Sequence, residues 1–183
     1  MGKQYESINQ KHEKFIAAQK IFFVATAMDK GFINLSPKGM DAFRILNPNE
    51  ALWLNLTGSG NETAAHLKYD KRMTIMFCAF DGKPIILRLY GEATVYHKRD
   101  SFYKNNIRLF PRIPGSRQLI HLKIKMVQTS CGMGVPLMDY KKERLMLESW
   151  AEGKGDQGIE EYWSLKNTTS LDGLPTDILD DAK

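Results

Sequence analysis

Between about residues 20 and 130, apolar and polar residues alternate mostly with a period of two, and toward the chain ends the spacing lengthens to that of a helix. In "LIHLKIKMVQ" the set Ile120, Leu122, Ile124 and Met126 opposes His121, Lys123 and Lys125, which predicts a strand with one dry face and one wet face. "RMTIMFCAF" is apolar on both faces. It reads as a central strand, covered by the core on one side and by a helix or second subunit on the other, with Cys78 as core packing. "IFFVATAM" and "GFINLSPK", joined by "DKG", have the chemistry of a hairpin. "EALWLNL" and "PIILRLYGEATVYH" complete six strands with one short helical insert before the last three. That order predicts a mainly β protein with peripheral helices, its antiparallel sheet closed into a barrel.

Helical spacing marks the remainder. Ser7 with Gln10 reads as a capping box opening a helix over residues 7 to 19. Residues 97 to 118 read as a helix followed by an irregular loop through "FPRIPGSR". Leu145, Met146 and Trp150 predict a helix in "KKERLMLESWAEG", and "IEEYWSLKN" a last short one. The tail from Thr168 has no periodicity, and its end is expected to be loosely held. No repeat or linker divides the chain, so residues 1–183 are read as one domain, with a barrel core at about 20–130 and C-terminal helices and tail at 140–183.

Composition narrows the function classes. The chain has 183 residues, is 43% hydrophobic and carries a net charge of +5. Lys and Arg are interspersed with Asp and Glu, so no basic stripe for nucleic acid forms, and an anionic small molecule is the better expectation. Cys78 and Cys131 lie in unlike settings, which argues against a disulfide and for a reducing compartment. With no signal-like N-terminus and no run of about 18 apolar residues, the expected location is the cytoplasm, with no membrane partner. His12, His66, His97 and His121 lack metal-ligand spacing, and His66 is expected at a surface or interface.

The densest candidate chemistry lies in "LTGSGNETAAHL". A strand runs into Thr57, Gly58, Ser59, Gly60 and Asn61, then into a helix. Ser59 with Glu62 three residues on forms a capping box on paper. Two readings stay open: a plain helix cap, or backbone N–H groups and the Ser59 and Thr63 hydroxyls gathered around an anion at a helix N-terminus. The lysine of a nucleotide P-loop is absent, so charge must come from elsewhere. Asn34, Ser36 and Lys38 share one face of an extended strand. Arg88, alone in an apolar strand, needs either a carboxylate such as Glu92 or a phosphate.

With "INLSPKG", "LTGSGNETAAHL", "MTIMFCAFDGKPIILRLYGEA" and "SCGMGVPLMDY" in this order, the chain resembles the pyridoxamine 5'-phosphate oxidase-like family of flavin-binding split barrels, over most of residues 20 to 140. The resemblance implies a six-stranded antiparallel FMN-binding split barrel, a homodimer with flavin at the subunit interface. It also implies that Lys38 lies near the flavin, that Ser59, Gly60, Asn61 and Thr63 hold its phosphate, and that Arg88 is a basic residue of the strand leading to Gly91. Two departures stand out. The adjacent Arg and Lys of the true oxidases are Glu62 and Thr63 here, and "SLDGLPTDILDDAK" lacks their terminal Trp and Arg substrate motif. The expected function is therefore an FMN-dependent oxidoreductase acting on a small molecule other than pyridoxamine phosphate, with NAD(P)H or a deazaflavin as electron donor. The alternative is a flavin carrier or sensor without turnover. No acid–base group is assigned, since hydride transfer is the flavin's own chemistry.

Overall fold

Alternation in the sequence becomes a single antiparallel sheet in the computed structural model, which describes residues 2–180. Its strands are β1 (Lys3–Tyr5), β2 (Phe22–Thr26), β3 (Asn34–Lys38), β4 (Phe43–Asn47), β5 (Glu50–Leu56), β6 (Arg72–Cys78), β7 (Ile85–His97) and β8 (Ser116–Cys131). The order is β3-β2-β6-β7-β8-β5-β4, with β1 added along β8. Among the described residues no ladder joins β3 to β4, so the sheet curls without complete closure. Aromatic rings pack across its interior: Phe22 lies 5.4 Å from Phe43 and 5.6 Å from Phe77, and Phe43 lies 5.1 Å from Phe77. Leu52, Leu54, Leu87, Leu89, Leu119, Ile120 and Leu122 fill the core with almost no exposure.

All six expected strands form, and β1 and β4 are additional. β1 has only three residues, too few to show a period. In β4 the register with β5 shifts between Ile45 and Asn47, which breaks the alternation by which a strand is recognised. A second irregularity corrects the reading of β8. Tyr90 pairs with Met126 and Gly91 with Ile124, leaving Lys125 as the extra residue of a bulge. The phase therefore flips: Ile124 and Val127 are buried while Met126, expected on the dry face, is half-exposed. Gly91 permits the close approach here, because a Cβ on it would collide with the Lys123 carbonyl oxygen.

The helices are α1 (Gln10–Ala18), α2 (Glu62–Tyr69), α3 (Ser101–Asn106) and α4 (Met146–Lys166). α1 starts later than expected. Its cap is Asn9, whose side chain accepts from the N–H of Lys11 and His12, and the box partner is His12, not the Ser7 and Gln10 pair. α4 holds both expected C-terminal helices, joined across a kink at Gly155 (φ 64°, ψ 176°). Its Ala151, Ile159 and Trp163 pack with Ile178 in a second small core.

The described part of the tail is anchored: Thr169 bridges to Pro175, Thr176 is buried, and Asp177 pairs with Lys68 at 2.8 Å. The expected looseness of the extreme C-terminus falls on residues 181–183, outside the described residues. No helix among the described residues is long and apolar enough to cross a membrane.

Candidate functional site

β5 delivers the glycine-bearing turn to one edge of the barrel, and neighbouring elements then hold its oxygen atoms. The Thr57 hydroxyl donates to the Gly115 carbonyl (2.7 Å) and accepts from the Trp163 indole N–H (2.8 Å). Asn167, fully buried after α4, donates to the Gly58 carbonyl (3.1 Å), and Arg117 of β8 donates to the Gly60 carbonyl (3.0 Å). The backbone N–H groups of residues 58–63 have no partner among the described residues, and α2 begins after Asn61 with no side-chain cap. The predicted Ser59 and Glu62 capping box does not form. Glu62 instead accepts the backbone N–H of Leu171 at 3.0 and 3.2 Å, spending its carboxylate on the tail.

Beside the turn lies a cleft of about 460 Å³, lined by Asn34, Ser36 and Lys38 of β3, Asn55 and Leu56 of β5, residues 58–63, Arg117 and Leu171. The pleat of β3 turns Asn34, Ser36 and Lys38 inward while Leu35 and Pro37 stay exposed. The Lys38 ammonium lies 5.1 Å from the centre of the buried Trp53 ring. Burial and then the nearby Arg117 charge push its pKa from the usual 10.5 down to about 8. Arg117 is only 4% exposed, and burial lowers its pKa to about 9. Besides Gly60, its guanidinium donates to Asn167 Oδ1 at 2.7 Å, and its Nε has no partner. Among the described residues no carboxylate comes within 4.0 Å of it. Two poorly solvated cations and a row of unpaired N–H groups therefore face one space, an arrangement that a bound anion would relieve.

Seven of the nine residues singled out from the sequence line this cleft: Asn34, Ser36, Lys38, Ser59, Gly60, Asn61 and Thr63. Thr57 does not, because its hydroxyl is committed to Gly115 and Trp163. Arg88 does not either. It alternates with the buried Leu87 and Leu89, so it stands half-buried on the other face of β7, donating to the Ser130 hydroxyl at 3.2 Å. Its expected carboxylate partner Glu92 pairs with Lys125 across the bulge. Arg117 and Asn55 were missed. Arg117 carried the same signal as Arg88, a lone charge next to an apolar strand, but it follows the irregular "FPRIPGS" and read as loop. His66, expected at a surface or interface, is 1% exposed within the single chain.

Comparison with known proteins places this architecture. Residues 8–131 match the family described as pyridoxamine 5'-phosphate oxidase. A pyridoxamine 5'-phosphate oxidase family protein of Aspergillus flavus, ustO, is 36% identical over 189 residues, covering 93% of this chain and 76% of the relative. Among solved structures, HupZ from Group A Streptococcus superposes with a TM-score of 0.51 at 18% identity, over 65% of this chain and 91% of that one. A FAD-binding protein of Mesorhizobium loti gives 0.50 at 8% identity, over 70% and 97% of the two chains. The chain belongs to the pyridoxamine 5'-phosphate oxidase family, and its fold is the split barrel of these structures, with eight strands where six were expected.

Proposed function

We propose that this member of the pyridoxamine 5'-phosphate oxidase family binds FMN, with the 5'-phosphate in the cleft between Lys38, Arg117 and the start of α2, and serves as an oxidoreductase for a small molecule. The observation that carries the reading is Arg117: a guanidinium buried without a carboxylate is costly, and a phosphate dianion offsets that cost with charge-assisted hydrogen bonds. Lys38 adds a second charge, and the N–H groups of residues 58–63 with the Ser59 and Thr63 hydroxyls add donors. FAD binding by a protein of the same fold, that of Mesorhizobium loti, supports the cofactor class.

When bound, a flavin supplies two-electron transfer at its ring. The protein's part is to fix the phosphate and leave the ring accessible to substrate and to an electron donor, for which NAD(P)H or a deazaflavin is proposed. A homodimer is proposed as well, and the outer edge of the barrel supports it. Phe32, Ile33 and Leu35 at β3 are 69%, 77% and 65% exposed, an apolar strip that a second copy would cover.

The absorption spectrum of the purified protein, with and without added FMN, tests the cofactor. A flavin spectrum that bleaches with NADPH or a reduced deazaflavin and recovers in air supports the oxidoreductase; stable colour with every donor favours a carrier or sensor. Protein that FMN neither colours nor stabilises overturns both. Lys38→Ala and Ser59→Ala should weaken FMN more than riboflavin, and equal losses would move the phosphate elsewhere.

A further inference from the structure

Behind the cleft runs a chain of hydrogen bonds with no part in the core. Thr63 and His66 lie three residues apart on α2 and so share a face of the helix. His66 Nδ1 is 3.1 Å from Thr26 Oγ1, Thr26 Oγ1 is 3.1 Å from Asn34 Nδ2, and Asn34 Nδ2 is 3.0 Å from Thr63 Oγ1. Asn34 and Thr63 line the cleft; Thr26 and His66 stand behind it, both buried.

Hydroxyls and amides can be turned round, so the chain admits two directions that leave no proton of the buried Thr26 hydroxyl unspent. In the first, Thr26 gives its proton to His66 Nδ1 and accepts from the Asn34 amide, whose other N–H goes to Thr63. The Thr63 proton is then unspent. In the second, His66 donates from Nδ1, Thr26 and Thr63 both give their protons to the Asn34 oxygen, and the cleft loses a hydroxyl donor. The imidazole is the member whose choice is made outside the chain. Its Nε2 has no hydrogen-bond partner, and the group facing it at 4.0 Å is the Asp172 carboxylate. A carboxylate there favours Nε2–H, which leaves Nδ1 as the acceptor.

Asp172 is itself held in place. It accepts the Phe32 N–H at 3.0 Å, and Gly31, at φ 94°, lacks the Cβ that would collide with its carboxylate. It sits in the tail hairpin bridged at Thr169 and Pro175, whose Leu171 is tied to Glu62.

We propose that His66 is a positioning residue for the anion cleft: as the Nε2–H tautomer, oriented by Asp172 of the C-terminal tail, it directs the Thr26 and Asn34 chain so that the Thr63 hydroxyl is free to donate to a bound phosphate. The proposal rests on the phosphate-binding reading above and extends it to the tail, of whose described residues Leu171 lines the cleft.

Nitrogen-15 spectra of the histidine rings in the full ligand-free chain test it directly. The expected result is a pyridine-type Nδ1 and a pyrrole-type Nε2 for His66; a pyrrole-type Nδ1, or two protonated nitrogens, overturns the proposal. Titration with FMN and riboflavin supplies the functional arm. His66→Gln, which removes the acceptor facing Thr26, should weaken FMN about fivefold, the worth of one net hydrogen bond, and leave riboflavin unchanged. His66→Asn, with an amide oxygen near the place of Nδ1, should restore most of that affinity. Thr26→Val should reproduce the His66→Gln loss, and the double variant should lose no more than either single one. Equal losses for both ligands, or additive losses in the double variant, would reduce His66 to a packing residue. Wild-type protein that binds FMN no better than riboflavin would instead overturn the phosphate reading, whatever the tautomer.

Discussion

Along β5 the chain buries Ala51, Leu52, Trp53 and Leu54 almost completely and pairs with β4 on one side and β8 on the other, whereas a few residues later the N–H groups of residues 58–63 go unpartnered, among the described residues, beside an Arg117 that has no counter-ion among them. The first region is dry and satisfied, whereas the second opens on the cleft, with Gly58 and Ser59 exposed and only Asn61 and Thr63 buried. A core strand gains from apolar burial and loses little, because its polar backbone atoms are matched within the sheet. The turn has its Gly58 and Gly60 carbonyls matched, by Asn167 and Arg117, while leaving donors and positive charge over. Such a surplus opposes stability in the empty protein and favours whatever anion cancels it.

The contrast can be broken first at the core. Leu122→Ala, at a fully buried position, should cost about 2–5 kcal/mol in chemical denaturation, while any folded fraction keeps its preference for FMN over riboflavin. Arg117→Met should do the reverse. FMN affinity should drop about 30-fold, as expected for lost charge-assisted hydrogen bonds, while the ligand-free stability moves by only about 1 kcal/mol, because the variant also removes a buried charge. A large stability loss in Arg117→Met would show that the arginine belongs to the structural side of the comparison.

The third effect is in the pH dependence. The Lys38 pKa in the folded protein, about 8, lies below the usual 10.5, so between these values the unfolded chain holds more protons and Lys38 makes the empty protein more stable as pH rises. Binding runs the other way, since a phosphate needs the ammonium. FMN affinity should be flat between about pH 7 and 8, where the phosphate is a dianion, and fall above it, by up to about tenfold, and Lys38→Ala should remove the part of the fall that begins near pH 8. Titrations at a series of pH values check the sign, and a profile unchanged by Lys38→Ala would separate the lysine from the ligand. The smallest effect is expected where the two regions join. Trp163→Phe removes the indole donor to Thr57 and should cost about 1 kcal/mol in thermal denaturation, with a weakening of FMN of less than about fivefold.

Legibility in the sequence divides along the same line. β5 was read with the bounds it has in the structure and β6 with its start, two residues too long at its end, because strands with buried inward faces must place apolar residues in step. Asn34, Ser36 and Lys38 were placed on one face by the same pleat, and the face opens on the cleft. The reading failed where a single residue shifts the phase, as at Lys125 and within β4, since a bulge leaves no mark in composition. It failed again where one local motif had a distant competitor. Ser59 and Glu62 have the spacing of a capping box, but Leu171 supplies a backbone N–H to Glu62 from 109 residues away.

What the sequence by itself determined is the set of apolar alternations that can be satisfied only by a curled antiparallel sheet, together with the glycine-bearing turn that opens α2. These are local properties, fixed by which neighbours along the chain share a face. The tertiary structure alone decided which cations serve the turn. It turned Arg88 away and brought Arg117 to Lys38, joined the tail to His66 through Asp172, and left the charges of the cleft unmatched. Those choices depend on which strands become neighbours in space, and electrostatic and hydrogen-bond energies are set by that separation and burial rather than by distance along the chain.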